Sequence, residues 1–215
     1  MTKKELSLGV KENLKFAKEH YEKNEGGLAT MFIIESKKDG KGTGLAALLG
    51  DNGALEKRMD IIFDLGVRTG IELSRGDIDS IEAVYMVSEA WFSMSDLDDN
   101  SLKFKMPSED PNKKEALVSS GVSQDGSSIF MMFEIKKSID LDTGRMKVSF
   151  VPIDEANKDG VEMESPLLQR FWDGVGLMNL FDTTLPTSVR KYFMDLPLEE
   201  SFQMIIKQIN NLRKQ

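Results

Sequence analysis

The chain has 215 residues, of which 40% are apolar and 30% charged, and its 28 basic against 36 acidic side chains give a net charge of −8. That length and mixture suit one sizeable core, and the acidic balance lacks the electrostatic footprint of a nucleic-acid binder, so nucleic acid is not expected as a partner. With no cysteine and one histidine, His20, the chain has no disulfide, thiolate nucleophile, zinc finger or HExxH site, and any Ser-His-Asp triad would depend on His20 alone.

The first residues, Met1-Thr-Lys-Lys-Glu-Leu, lack an apolar run of signal-peptide length, and no stretch approaches about 18 apolar residues. A cytoplasmic protein without a membrane span is the expectation. Leu6, Val10, Leu14, Ala17 and Tyr21 recur at helical spacing, which predicts an amphipathic helix over 3–23 with a surface His20 beside its stripe. Residues 28–36 then read as a strand apolar on both faces, hence central. The glycines at 40, 42 and 44 match neither phosphate-loop spacing, so Asp39-Gly40 reads as a hairpin turn into 45–49. Asn52 is a candidate cap for a helix from about 54 to 69 that ends at Gly70.

Ile81–Phe92 reads as the longest buried strand, so strand, helix and strand make an α/β element within an otherwise antiparallel sheet. Glu89 beside Trp91 stands out there, because an unpaired carboxylate is costly to bury. It either lies at the exposed end of the strand or meets a cation or metal. Residues 93–112 are acidic and proline-punctuated; Asp96-x-Asp98-x-Asn100 copies the opening of an EF-hand loop, but Ser101 and Pro107 stand where Gly and Glu are required. A segment of that length suits a lid or a partner-binding role.

Asp125-Gly126 between two β-rich runs predicts a two-residue hairpin, which would set Val122 opposite Ile129, Ser120 opposite Met131, Val118 opposite Phe133 and Ala116 opposite Ile135. Glu115 then faces Lys136 on the polar side, with Leu117 and Glu134. After the turn 140–144, Met146, Val148, Phe150 and Pro152 continue the apolar face of a three-strand meander. Residues 155–164 read as an acidic linker. Ser165-Pro166 opens a helical stretch, a short helix falls around 189–194, and the stripe Leu198, Phe202, Ile205, Ile206, Ile209 and Leu212 marks a final amphipathic helix able to cover the sheet or pair with a second copy.

The fold expected is a single α+β domain over 1–215. An N-terminal helix (1–24) precedes a mixed, mostly antiparallel sheet of about six strands over 28–153, which holds the helix 54–69, and a helical addition spans 166–215. Ser88-Glu89-Ala90-Trp91, followed by Pro107-Ser-Glu-Asp-Pro111-Asn-Lys-Lys-Glu115, is similar to a set of uncharacterised small prokaryotic and phage proteins with an S-E-A-W strand and a P-S-x-x-P-x-[KR]-x-E segment. The resemblance covers about residues 28–153 and implies no activity. It directs attention to Glu89, Trp91, Ser108, Asp110, Pro111 and Glu115 as one binding neighbourhood. Two functions follow. One is a non-catalytic protein-interaction module with no cofactor, an unidentified protein partner and a homodimer contact through 198–212. The other is a hydrolase or nuclease in which Asp110, Glu115 and Glu134 hold Mg²⁺ or Mn²⁺ and Lys136 orients the attacking water.

Overall fold

A computed structural model describes residues 1–23, 27–49, 55–92, 111, 113–141, 144, 146–154, 157 and 165–212. Asn52, the whole of 93–110 with Asp96, Asp98, Ser108 and Asp110, and most of the acidic stretch 155–164 lie outside the described residues.

Helix α1 (Lys3–Lys23) is followed by strands β1 (Thr30–Lys38) and β2 (Lys41–Leu49), helix α2 (Leu55–Arg75), and strands β3 (Ser80–Phe92), β4 (Lys114–Ser123), β5 (Ser128–Ile139) and β6 (Met146–Pro152). Helices α3 (Pro166–Thr184), α4 (Thr187–Asp195) and α5 (Leu198–Leu212) complete the chain. The six strands form one curled sheet in the order β2-β1-β3-β4-β5-β6, antiparallel at every pairing. The anticipated α/β element is present without a parallel pairing: β2 and β3 run in the same direction, but β1 lies between them.

Helix α1 docks on one face, where Leu14, Ala17 and Tyr21 meet Val87, Leu117 and Ile135, and Leu6 and Val10 meet Ala83 and Tyr85. Helices α2 and α3 cover the other face through Ile62, Leu168, Phe171 and Val175 against Phe32, Ile34, Val84 and Val122. Strand β4 is therefore buried on both faces from Ala116 to Ser123. Within the stripe of α5, Ile205 and Ile209 are buried on Phe63, Val67, Ile71 and Met178. Leu198, Phe202 and Ile206 are half-buried against the same cluster. Among the described residues no helix is long and apolar enough to cross a membrane.

Two local departures from the sequence reading have physical causes. Gly70 does not stop α2, which continues to Arg75 and ends at Gly76, whose φ of +75° is the left-handed conformation of a helix C-cap. Gly66, Gly70 and Gly174 instead serve the contact between α2 and α3. A Cβ on Gly66 would lie 2.1 Å from the Phe171 carbonyl oxygen, and one on Gly174 would lie 2.4 Å from that of Phe63.

The second departure is the β4–β5 register. The pairs are Val122 with Ser128, Val118 with Met132, Leu117 with Phe133 and Ala116 with Glu134, one residue from the expected set. Only Gly126 (φ +84°) has positive φ here, and the Ser123 N–H donates to the Ser127 carbonyl at 3.0 Å, so the loop is the three residues Gln124-Asp125-Gly126. Asp125 stabilises it by accepting from the Ser123 hydroxyl at 2.6 Å and the Ser127 N–H at 3.0 Å. At Asp39-Gly40 both residues have positive φ (51° and 72°), and there the two-residue turn forms as read. A one-residue slip moves every side chain of a strand to the other face. Leu117 is thus buried beneath α1 instead of lying among the polar residues.

The helix contact predicts opposite outcomes for neighbouring glycines. Gly174→Ala should destabilise by about 1–3 kcal/mol through overpacking. Gly176→Ala, where a Cβ meets nothing within 4 Å, should stabilise by about 0.5–1 kcal/mol through helix propensity. Thermal melts compare the two, and equal shifts would contradict the backbone contact. The turn predicts an acid response. The Ser123 hydroxyl, then the Ser127 N–H and hydroxyl, lower the Asp125 carboxyl from its ordinary 3.8 to about 2. A carboxyl lowered on folding adds stability above its unfolded pKa and loses it as pH falls through the folded one. Asp125→Ala should flatten the stability curve between pH 3.8 and 2, read by denaturant titration at several pH values.

Candidate functional site

Alternation along β3 and β4 determines which polar residues share a face. Trp91 pairs with Glu115 and Glu89 with Leu117, so Glu89, Trp91 and Glu115 lie on the α1 side at one end of the sheet. The last turns of α1 bring Tyr21 to the same corner, and β5 brings Lys137.

Glu115 sits between two donors. Lys137 Nζ is 2.7 Å from one carboxylate oxygen and the Tyr21 hydroxyl donates to the other at 3.3 Å. Glu115, and after it Tyr21, hold the Lys137 ammonium above its ordinary range, whereas burial raises the Tyr21 hydroxyl. Tyr21 also meets Phe150 edge-on, with ring centroids 5.8 Å apart. Beside it, Lys18 Nζ lies 3.4 Å from the centroid of Phe133, and burial lowers its pKa. Glu89 accepts a hydrogen bond from the backbone N–H of Leu28, which tethers the chain entering β1. Glu89 is half-buried near the end of β3, beside the exposed Trp91.

Trp91 is 55% exposed, and Lys113 Nζ lies 5.0 Å from its ring centroid. Pro111 is exposed nearby in sequence, while Ser108 and Asp110 lie outside the described residues. Glu89, Trp91 and Glu115 are therefore brought together. Glu134 and Lys136 are not part of this group. The observed register places both on the opposite face, where Glu134 pairs with Lys114 at 3.4 Å, and Lys137 takes the place at Glu115 that the expected register gave to Lys136. Among the described residues no group of three or more His, Asp or Glu side chains is arranged to hold a metal ion.

A second surface went unread in the sequence. β2 is the outer strand of the sheet, and seven of its nine residues, 41–46 and Leu48, are exposed. Leu45 is 53% and Leu48 72% exposed, and Lys41 is the strand's only charge. The two-residue turn makes Lys38 and Lys41 a hydrogen-bonded pair, so alternation aims the N–H and C=O groups of Gly42, Gly44, Ala46 and Leu48 outward. The opposite edge is better closed: β6 carries Lys147 and Pro152, and the Asn157 carboxamide bonds both the N–H and the C=O of Met132, at 2.8 and 2.9 Å.

Comparison of the chain with protein-family models, with curated proteins and with solved structures finds no match.

The two lysines of β5 separate the registers experimentally. Lys137→Met leaves Glu115 without its ion partner and should cost about 1 kcal/mol, as expected for a partly exposed pair with good geometry. Lys136→Met should change stability by less than about 0.5 kcal/mol. Chemical denaturation of both variants checks this, and a larger loss for Lys136→Met would restore the two-residue register.

Proposed function

We propose that this chain is a non-catalytic protein-interaction module whose contact surface is the β2 edge. An extended segment of a protein partner adds to that edge as a further strand. The observation that carries the reading is a nine-residue edge strand with one charge, two exposed leucines and outward main-chain groups. Edge strands are commonly blunted by charge, proline or a bulge, and those that are not are templates for another strand. Backbone bonds would supply affinity, and Leu48 with Ala46 on one face and Leu45 on the other would supply specificity. The resemblance in the S-E-A-W strand adds a prokaryotic or phage setting in the cytoplasm. The Trp91 corner suits an auxiliary contact, since an exposed tryptophan beside satisfied charges is a common anchor type.

The alternative, an Mg²⁺- or Mn²⁺-dependent hydrolase using Glu115, Glu134 and Lys136, loses support from the register, which divides those residues between two faces. A saturable rise in melting temperature with either ion, lost in Glu134→Ala, would favour it over the interaction module.

Ala46→Pro removes one outward N–H and leaves the bonds to β1 intact. With wild type and Ala46→Pro immobilised in parallel, proteins retained by the first should be lost from the second while both melt at similar temperatures. Equal retention by both baits would sink strand addition.

A further inference from the structure

Strand β2 runs Lys-Gly-Thr-Gly-Leu-Ala-Ala-Leu-Leu over residues 41–49, with Leu45 at its centre. The main-chain groups that face outward belong to Gly42, Gly44, Ala46 and Leu48, and these positions are symmetric about Leu45. An antiparallel copy of the same strand therefore meets it over its full length, with residue 41 facing 49. In that register Gly42 forms a hydrogen-bonded pair with Leu48 of the copy and Gly44 with its Ala46, while Leu45 faces Leu45 across a two-fold axis. The next registers that keep outward groups facing leave either Lys41 and Gly42 or Leu48 and Leu49 of each copy without a partner.

Size and charge favour the same register. Glycine inside a strand weakens it and often marks the close approach of another backbone. Here each glycine is set opposite a larger residue of the copy, Gly42 opposite Leu48 and Gly44 opposite Ala46. A Cβ on Gly42 would meet no atom within 4 Å, so the Leu48 side chain of the copy enters open space. The pairing thus covers both exposed leucines of the edge, Leu48 over Gly42 and Leu45 against itself. With a net charge of −8 the chain repels its own copy, and β2 has no acidic residue to add to that repulsion. Its one charge, Lys41, faces Leu49. The two lysines stand at opposite ends of the ribbon, about 27 Å apart at about 3.4 Å per residue, well beyond the screening length of about 8–10 Å.

Resting on β2 as the contact edge, we infer that the strand it takes up is β2 of a second copy of this chain. Two six-stranded sheets then become one continuous sheet across an axis between the two Leu45 side chains.

Light scattering over about 1–100 μM protein should give the wild type twice the chain mass of 24.2 kDa. Ala46→Pro removes an outward N–H, and Leu45→Lys sets like charges directly opposite each other. Each should weaken association at least about tenfold while keeping the wild-type circular-dichroism spectrum, and mixing Leu45→Lys with Leu45→Glu should restore the dimer. The chain has no cysteine, so one introduced thiol reports the register. Under oxidation Leu45→Cys should cross-link, because facing Cα atoms of a non-hydrogen-bonded pair lie about 4.5 Å apart, and Ala47→Cys, about 14 Å from its counterpart, should not. A wild type of 24.2 kDa throughout that range, a dimer that persists in both Ala46→Pro and Leu45→Lys, or cross-linking of Ala47→Cys in preference to Leu45→Cys would overturn self-pairing. The β2 edge as a contact surface is judged separately: it stands if a monomeric wild type still retains another protein that Ala46→Pro loses, and falls with self-pairing if it retains none.

Discussion

Two helices share one side of this sheet because glycine lets their backbones touch. Gly66 and Gly70 of α2 and Gly174 of α3 leave no room for side chains where the helices cross. Phe171 and Val175, on either side of the crossing, go into the sheet-facing core, and Met178 goes into the layer beneath α5. That contact determines how far α3 reaches over the β4–β5 turn and which face of α2 remains for Ile205 and Ile209. Helix α5 thus adds a layer behind α2, while α3 lies with α2 on the sheet.

The charged corner under α1 follows a similar economy. Glu115 and Glu89 there, and Glu134 on the opposite face, could each serve as a catalytic carboxylate in isolation. Each already has a structural partner: Lys137 with Tyr21, the Leu28 N–H, and Lys114. The side chains with chemical potential hold strands and helix ends in place. The surface left available is aromatic or main-chain in character, at Trp91 and along β2.

Much of this architecture was legible in the residues. The stripe from Leu6 to Tyr21 located α1, because a 3.6-residue period needs no tertiary information. Strands β3 to β6 were found for a comparable reason. The errors arose where one local signal serves two geometries. Asp-Gly closes a two-residue turn at residues 39–40 and sits within a three-residue loop at 125–126, and the difference rests on Ser123 and Ser127, which supply Asp125 with donors. Gly70 has the composition of a helix stop but acts as a packing surface, a role visible only once α3 lies against it. Of the proposed neighbourhood, Glu89, Trp91 and Glu115 converge because neighbouring strands keep alternation in step. The partner of Glu89 is a backbone N–H, which no residue type announces. The edge position of β2 likewise depends on strand order, and Leu-Ala-Ala-Leu-Leu reads the same in the centre of a sheet as at its border.

The strand order also separates early assembly from late. β1 with β2, and β4 with β5 and β6, pair through neighbouring sequence, as at Lys38 with Lys41. β3 has no such neighbour: it meets β1 at Met31 and Val87, and β4 at Ala83 and Ser123. Joining it to either side requires closing a long loop before any contact rewards the lost chain entropy. Until β3 inserts, β1 and β4 are themselves open borders, and the apolar faces meant for α1, α2 and α3 remain in water. The pairings of β3 are therefore the long-range contacts of this sheet, and every other pairing is local in sequence.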